Sequence, residues 1–60
     1  MNLPTDANIA LSIVNTKLRD EYPSLPDFCE EEGLEIAEVA ARFAALGYYY
    51  DESLNKFIAK

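Results

Sequence analysis

The stretch FCEEEGLEIAEVAARF, Phe28–Phe43, decides the fold of this chain. A helix-turn-helix unit needs a small residue in its first helix and glycine in the turn four residues later. An apolar residue follows the glycine, and an aliphatic residue comes about five residues further on. Cys29, Gly33, Leu34 and Val39 occupy these places. The spacing therefore predicts two helices joined by a tight turn, a geometry that many domains use without binding DNA.

Upstream of this stretch, TDANIALSIVNTKLRDEY has the period of an amphipathic helix over roughly residues 6 to 20, capped by Thr5 or Asp6. Its apolar stripe consists of Ala7, Ala10, Leu11, Val14 and Leu18. Ile9 and Ile13 fall outside that stripe, on a second face of the helix. Either the rest of the domain covers them, or they form a surface for a partner.

The second helix begins near Ser24, which together with Asp27 resembles a capping box, and Pro26 fits its first turn. It runs to about Glu32, with Leu25, Phe28 and Cys29 facing inward, and Gly33 ends it. The third helix spans roughly residues 36 to 46. The side chains predicted for its buried face are Ile36, Val39, Ala40, Phe43 and Leu46.

After Gly47 the apolar period changes from helical to alternating. YYYDESLNKFI predicts two short strands around a turn near DESLN, where Asn55 can adopt a positive φ. Tyr48 and Tyr50 share one face of this hairpin, and Tyr49 lies on the other. Because an isolated hairpin is barely stable in water, we expect one face to pack on the helices.

The charge of the chain is distributed unevenly. The net charge is −6, and residues 24–47 carry one arginine against six acids, which leaves −5 on that segment. A field of this sign repels phosphate backbones and anionic membranes. It also keeps a small protein soluble. The charge therefore argues against nucleic-acid and membrane partners, and it indicates no other partner.

The third helix has few groups that can read a nucleic acid. A recognition helix offers arginine, lysine, asparagine, glutamine or serine to bases and phosphates. The predicted outward face carries Ala37, Ala41, Ala44 and Ala45, and Arg42 is the helix's one cation. Two interpretations of the alanines stay open. They fill an exposed face at no cost in side-chain entropy, or they allow another helix to approach closely in a dimer or complex.

The composition excludes most catalytic and metal chemistry. The chain has no histidine and one cysteine, which leaves no Ser–His or Cys–His pair and no zinc site. Two glycines make no phosphate-binding loop, and the glutamate run lacks the spacing of a calcium loop. We expect no catalytic residue, no cofactor, no metal and no small-molecule substrate. One cysteine without a disulfide partner, no apolar run of roughly 18 residues and no signal sequence predict a cytoplasmic protein.

Several pieces of the chain resemble a family of short bacterial proteins catalogued as a domain of unknown function. The likeness lies in LPTD, SIVNTKLRDEYPSL, FCEEEGL and LGYYYDESLNKF, with VNTKLRD and GYYYDESLN the most distinctive. Where this chain reads AEVAARFAAL, the family often carries charged residues, so the resemblance supports no role for the alanines. It implies a compact bacterial cytoplasmic protein and supplies no catalytic residues.

The sequence predicts a single α+β domain over residues 1–60, a three-helix, helix-turn-helix-like bundle with a C-terminal β-hairpin, as in a winged helix. The leading hypothesis is a non-enzymatic protein-interaction or self-association module. Its surface would comprise Ala37, Ala41, Ala44 and Ala45, or Ile9 and Ile13. The alternative is a winged-helix-like, transcription-associated protein that contacts nucleic acid as part of a larger assembly.

Overall fold

The computed structural model describes all 60 residues and contains three α-helices followed by a two-stranded antiparallel hairpin. The helices are α1 (Ala7–Asp20), α2 (Leu25–Glu32) and α3 (Ile36–Ala44). The strands are β1 (Tyr48–Asp51) and β2 (Lys56–Ala59). The predicted α+β architecture is confirmed. None of the helices is both long and apolar enough to cross a bilayer.

The first two helices begin at polar caps. The Asp6 carboxylate accepts hydrogen bonds from the backbone N–H groups of Asn8 and Ile9, at 2.9 and 3.2 Å. The Ser24 hydroxyl accepts from the Asp27 N–H at 3.2 Å and donates to the Asp27 carboxylate at 2.7 Å. These bonds satisfy N–H groups that have no partner within the helix. Both helix starts therefore lie where the sequence predicts them.

The turn between α2 and α3 depends on the backbone conformation of Gly33. Its φ of 71° lies in the left-handed region, and a Cβ added there would meet nothing within 4 Å. The position therefore favours glycine for its conformation and not for a close approach. The Leu34 N–H donates to the Cys29 carbonyl at 2.8 Å, which satisfies a carbonyl at the end of α2.

The core draws on all three helices and on β2. Phe43 and Phe57 meet edge to face with their ring centroids 4.9 Å apart, and Phe28 is completely buried. Burying each such side chain contributes about 1.5–3 kcal/mol. The ten buried residues are Ala10, Leu11, Val14, Leu18, Leu25, Phe28, Cys29, Val39, Phe43 and Phe57.

Two predictions for the third helix are wrong. The helix ends at Ala44 and not at Leu46, because the Leu46 and Gly47 N–H groups bond three residues back, to Phe43 and Ala44. This tighter pattern is typical of a last helical turn. Ile36 is 44% exposed instead of buried. It is the first residue of α3, and its side chain tilts toward the helix N-terminus, away from the core. Val39 and Phe43 are the side chains through which α3 packs into the core.

The hairpin follows the predicted pattern. Tyr49 is 46% exposed on the outer face, whereas Tyr48 and Tyr50 are half-buried and pack against the core. Asn55 has a φ of 52° in the turn, and the Gly47 φ is 82° before β1. These two residue types tolerate the left-handed conformation best. The hairpin therefore packs one tyrosine face on the helices and leaves the other open.

Candidate functional site

The alanines predicted as an interaction surface lie on the side of α3 that faces away from the core. Ala37, Ala41 and Ala45 are exposed, and Ala44 is half-buried. The rest of the chain leaves Ala37, Ala41 and Ala45 uncovered and covers Ala44 in part. This exposure is compatible with both interpretations of the alanines, an exposed face without a partner and a surface for another helix.

The apolar surface on this side of α3 is wider than the four predicted alanines. Successive helical residues are about 100° apart, so six apolar side chains span about 180° of the circumference of α3. We call this surface the α3 apolar face. It consists of Ile36, Ala37, Ala40, Ala41, Ala44 and Ala45. Ala40 and Ala44 are half-buried, and the others, with Ala45 just past the helix end, are exposed.

Arg42, the one cation of α3, forms hydrogen bonds with the main chain of the N-terminal segment. The Arg42 guanidinium donates hydrogen bonds to the carbonyl oxygens of Pro4 and Thr5, at 2.5 and 3.1 Å. These bonds fasten the segment before α1 to α3. Arg42 is therefore directed at the main chain, and it adds no cation to the α3 apolar face.

Acidic side chains surround the turn before α3. Glu30, Glu31, Glu35 and Glu38 are all exposed. None of them takes part in an ion pair, because the three pairs in the chain are Met1–Glu32, Lys17–Glu21 and Arg19–Asp20. The α3 apolar face consequently has an uncompensated acidic border.

The isoleucines of the second predicted surface lie on α1, a different helix. Ile9 is 54% exposed, whereas Ile13 is half-buried. Isolated exposed apolar residues are normal on soluble proteins. The two predicted sets therefore form separate surfaces, and the α3 set is the larger.

Asn15 has a structural role that the sequence prediction missed. Its side-chain amide donates to the Phe57 carbonyl at 3.1 Å, and its side-chain oxygen accepts from the Phe57 N–H at 2.8 Å. Asn15 thus binds β2 as a neighbouring strand would. A signal was present, because asparagine is a poor helix former and this one borders the buried stripe of α1.

A second missed cluster joins the hairpin to the helix ends. The Tyr50 hydroxyl donates to the Asn55 side-chain oxygen at 2.6 Å and accepts from the Leu25 N–H at 3.1 Å. The Asn55 amide donates to the carbonyls of Leu18 and Tyr22, at 3.0 and 2.9 Å. One tyrosine and one asparagine therefore satisfy backbone groups at the end of α1 and the start of α2.

The environments of Tyr22 and Cys29 raise the pKa values of both side chains, which makes them poorer nucleophiles. The Tyr22 hydroxyl donates to the Glu32 carboxylate at 2.5 Å, and this bond with partial desolvation raises the pKa of Tyr22 to about 12. Burial raises the pKa of the Cys29 thiol, which is 1% exposed. A nucleophile requires the opposite shift.

The clefts of the surface do not coincide with the predicted residues. One cleft, of about 700 Å³, lies between α1 and the hairpin turn, and most of the residues that line it are polar. Ser12, Thr16, Arg19 and Lys56 are among the side chains that line it. No three acidic or cysteine side chains converge in an arrangement that could hold a metal ion.

Comparison with known proteins identifies the family. No curated protein and no solved structure matches the chain. One family model matches residues 4–57, nearly the whole chain, and its description is a domain of unknown function. This match confirms the resemblance seen in the sequence. The chain belongs to the family described as "Domain of unknown function (DUF4250)".

Proposed function

We propose that this chain is a non-enzymatic protein-interaction module that docks a partner on the α3 apolar face. The observation that carries the proposal is that four of the six side chains of this face are exposed, while Val39 and Phe43 of the same helix are buried in the core and hold the helix in place. Contiguous exposed apolar surface with a polar border is typical of interaction sites. The protected thiol and tyrosine and the absence of histidine argue against catalysis.

The shape and charge of the surface favour one class of partner. Alanine side chains let a second helix approach to the short end of the usual 8–10 Å interaxial distance. Each buried methyl group contributes about 0.8 kcal/mol. The acidic border attracts lysine and arginine on the partner. The partner we propose is therefore an amphipathic helix with an apolar stripe and basic flanks.

Nucleic acid fits this surface poorly. Arg42 is directed at the main chain, and four unpaired glutamates lie beside the helix that would enter the groove. Lys56 and Lys60 on the hairpin could instead contact the phosphate backbone. Two such contacts give little affinity, and the logarithm of the binding constant would fall with the logarithm of the salt concentration with a slope of only about −2. Binding to random duplex at low salt would favour this alternative.

The test is a comparison of two charge-matched variants. Ala41→Lys places a cation in the middle of the α3 apolar face, and Ser12→Lys places one on an exposed position of α1. Proteins that the wild type and Ser12→Lys retain from a native extract, and Ala41→Lys loses, are candidate partners. Each is then purified and titrated against all three chains.

We expect Ala41→Lys to weaken the dissociation constant of the purified partner at least about tenfold, as a charge buried at an interface centre does. Ser12→Lys should leave it unchanged. Raising the salt concentration should weaken binding if the basic flanks contribute. Equal retention and equal dissociation constants for the two variants would contradict the docking surface.

A further inference from the structure

Two observations fix which backbone groups of the hairpin point outward. Asn15 binds both the N–H and the C=O of Phe57, so these groups face away from β1. The Lys60 N–H donates across the hairpin to the Gly47 carbonyl at 3.0 Å. Bonded and non-bonded pairs alternate along an antiparallel ladder. Both observations therefore make Tyr48–Ala59 and Tyr50–Phe57 the non-bonded pairs.

It follows that the N–H and C=O groups of Tyr48 and Tyr50 point outward from β1. No backbone or side-chain hydrogen bond within the chain reaches them. Asn15 binds the outer edge of β2, whereas no side chain forms a hydrogen bond with the backbone at the edge of β1. Its sequence, YYYD, also lacks the lysine or proline that commonly protects an edge strand.

We propose that the edge of β1 pairs antiparallel with the edge of β1 in a second copy of the chain, about a twofold axis at Tyr49. In this register Tyr48 of each copy lies opposite Tyr50 of the other. Both residues carry an outward donor and acceptor, so the pairing forms four backbone hydrogen bonds. The two hairpins become one four-stranded sheet, and a sheet of three or more strands is more stable than an isolated hairpin.

A second copy fits this edge because the edge is complementary to itself. Tyr49, which is 46% exposed, meets its own copy across the axis, and aromatic cross-strand pairs are favourable. Asp51 lies opposite Gly47, so no like charges face each other. Residues 48–60 carry two lysines against two acids. The hairpin is therefore uncharged overall although the whole chain carries −6, so two copies that meet at their hairpins repel each other less than at an acidic surface.

This contact is independent of the α3 apolar face, and its test leaves that face unchanged. In the proposed register the two copies of Tyr49 form a non-bonded pair, with Cα atoms about 4.5 Å apart. That distance lies within the range that a disulfide spans. We therefore expect Tyr49→Cys to form a covalent dimer under mild oxidation.

Two controls make the cross-link specific. Ile58→Cys places a thiol on the same outer face, on the strand away from the axis. Wild-type protein carries only the buried Cys29. Tyr49→Cys should dimerise at least about tenfold faster than Ile58→Cys, because only its thiols lie within bonding distance, and the wild type should not dimerise. Equal rates for the two variants would overturn the register.

Amide hydrogen exchange of the unmodified protein supplies a test without substitution. Raising the protein concentration should slow exchange at Tyr48 and Tyr50, whose N–H groups enter the contact. Tyr49, whose N–H group points toward β2, should change less. If exchange at Tyr48 and Tyr50 is independent of concentration, and sedimentation equilibrium gives a monomer throughout, the proposed pairing is wrong.

Discussion

Replacing Asn15 with alanine tests how the hairpin is held to the helices. The change removes two hydrogen bonds, of 3.1 and 2.8 Å, between α1 and the Phe57 backbone. Each bond contributes about 1 kcal/mol, and the unpaired backbone groups of a partly buried strand add to the loss. The two Asn15–Phe57 hydrogen bonds together therefore contribute about 2–3 kcal/mol to the free energy of unfolding.

Alanine also favours the helix by up to about 0.7 kcal/mol, so the net loss for Asn15→Ala should be about 1.5–2 kcal/mol. A chain of 60 residues has about 3–9 kcal/mol of stability in total at typical values per residue. The loss should therefore be a large fraction of the whole and should clearly lower the urea midpoint of unfolding.

The matched control is Thr16→Ala. Thr16 is exposed on the same helix, its side chain makes no hydrogen bond, and its replacement gains a similar helix propensity. The difference in unfolding free energy between the two variants therefore gives the contribution of the two Asn15–Phe57 hydrogen bonds. If Asn15→Ala and Thr16→Ala unfold at the same urea concentration, the amide of Asn15 does not hold β2 and the reasoning is refuted.

Three further predictions follow from the geometry. Gly33→Ala should cost about 1 kcal/mol in urea unfolding, because only its φ of 71° opposes a Cβ; a loss above about 3 kcal/mol would mean that the site is crowded. The pKa of Tyr22, about 12 when folded against 10.0 unfolded, favours the neutral phenol in the fold, so its stabilising effect is complete below pH 10 and is lost between pH 10 and 12. A tyrosinate absorbance titration of the wild type should show an ionisation with a pKa of about 12, and Glu32→Gln should return that pKa toward 10; no difference between the two proteins would contradict the Tyr22–Glu32 bond. The Cys29 thiol should react with a thiol reagent only after unfolding, since it is buried and its pKa is raised; fast labelling of native protein would refute that placement.

Local sequence rules predicted the elements well because each rests on neighbouring residues. The cap at Asp6, the left-handed Gly33 and the positive φ of Asn55 need no knowledge of distant contacts. The period of each stripe placed most of the core side chains, but Ala7, Ala40 and Leu46 are only half-buried and Ile36 is exposed. That error arose because a period assigns a direction around a helix and does not say whether the core extends as far as its first turn.

The partners in the long-range polar contacts were beyond prediction because each contact joins residues far apart in the chain. Asn15 meets Phe57, Arg42 meets Pro4, and Asn55 meets Leu18. Composition marks such residues only as polar. Whether another helix covers Ala37, Ala41, Ala44 and Ala45 was also undecided, since periodicity located these alanines on the outward side of α3 and gave no information on what lies against them.

The central claim is that the helix-turn-helix geometry presents α3 to a protein partner. A photoreactive amino acid at Ala41, with a second version at Ser12 as the control, tests it in cells of the native host. We predict that irradiation links position 41 to one discrete protein and leaves position 12 unlinked. No product at position 41, the same products at both positions, or a nucleic-acid adduct at position 41 would contradict the account.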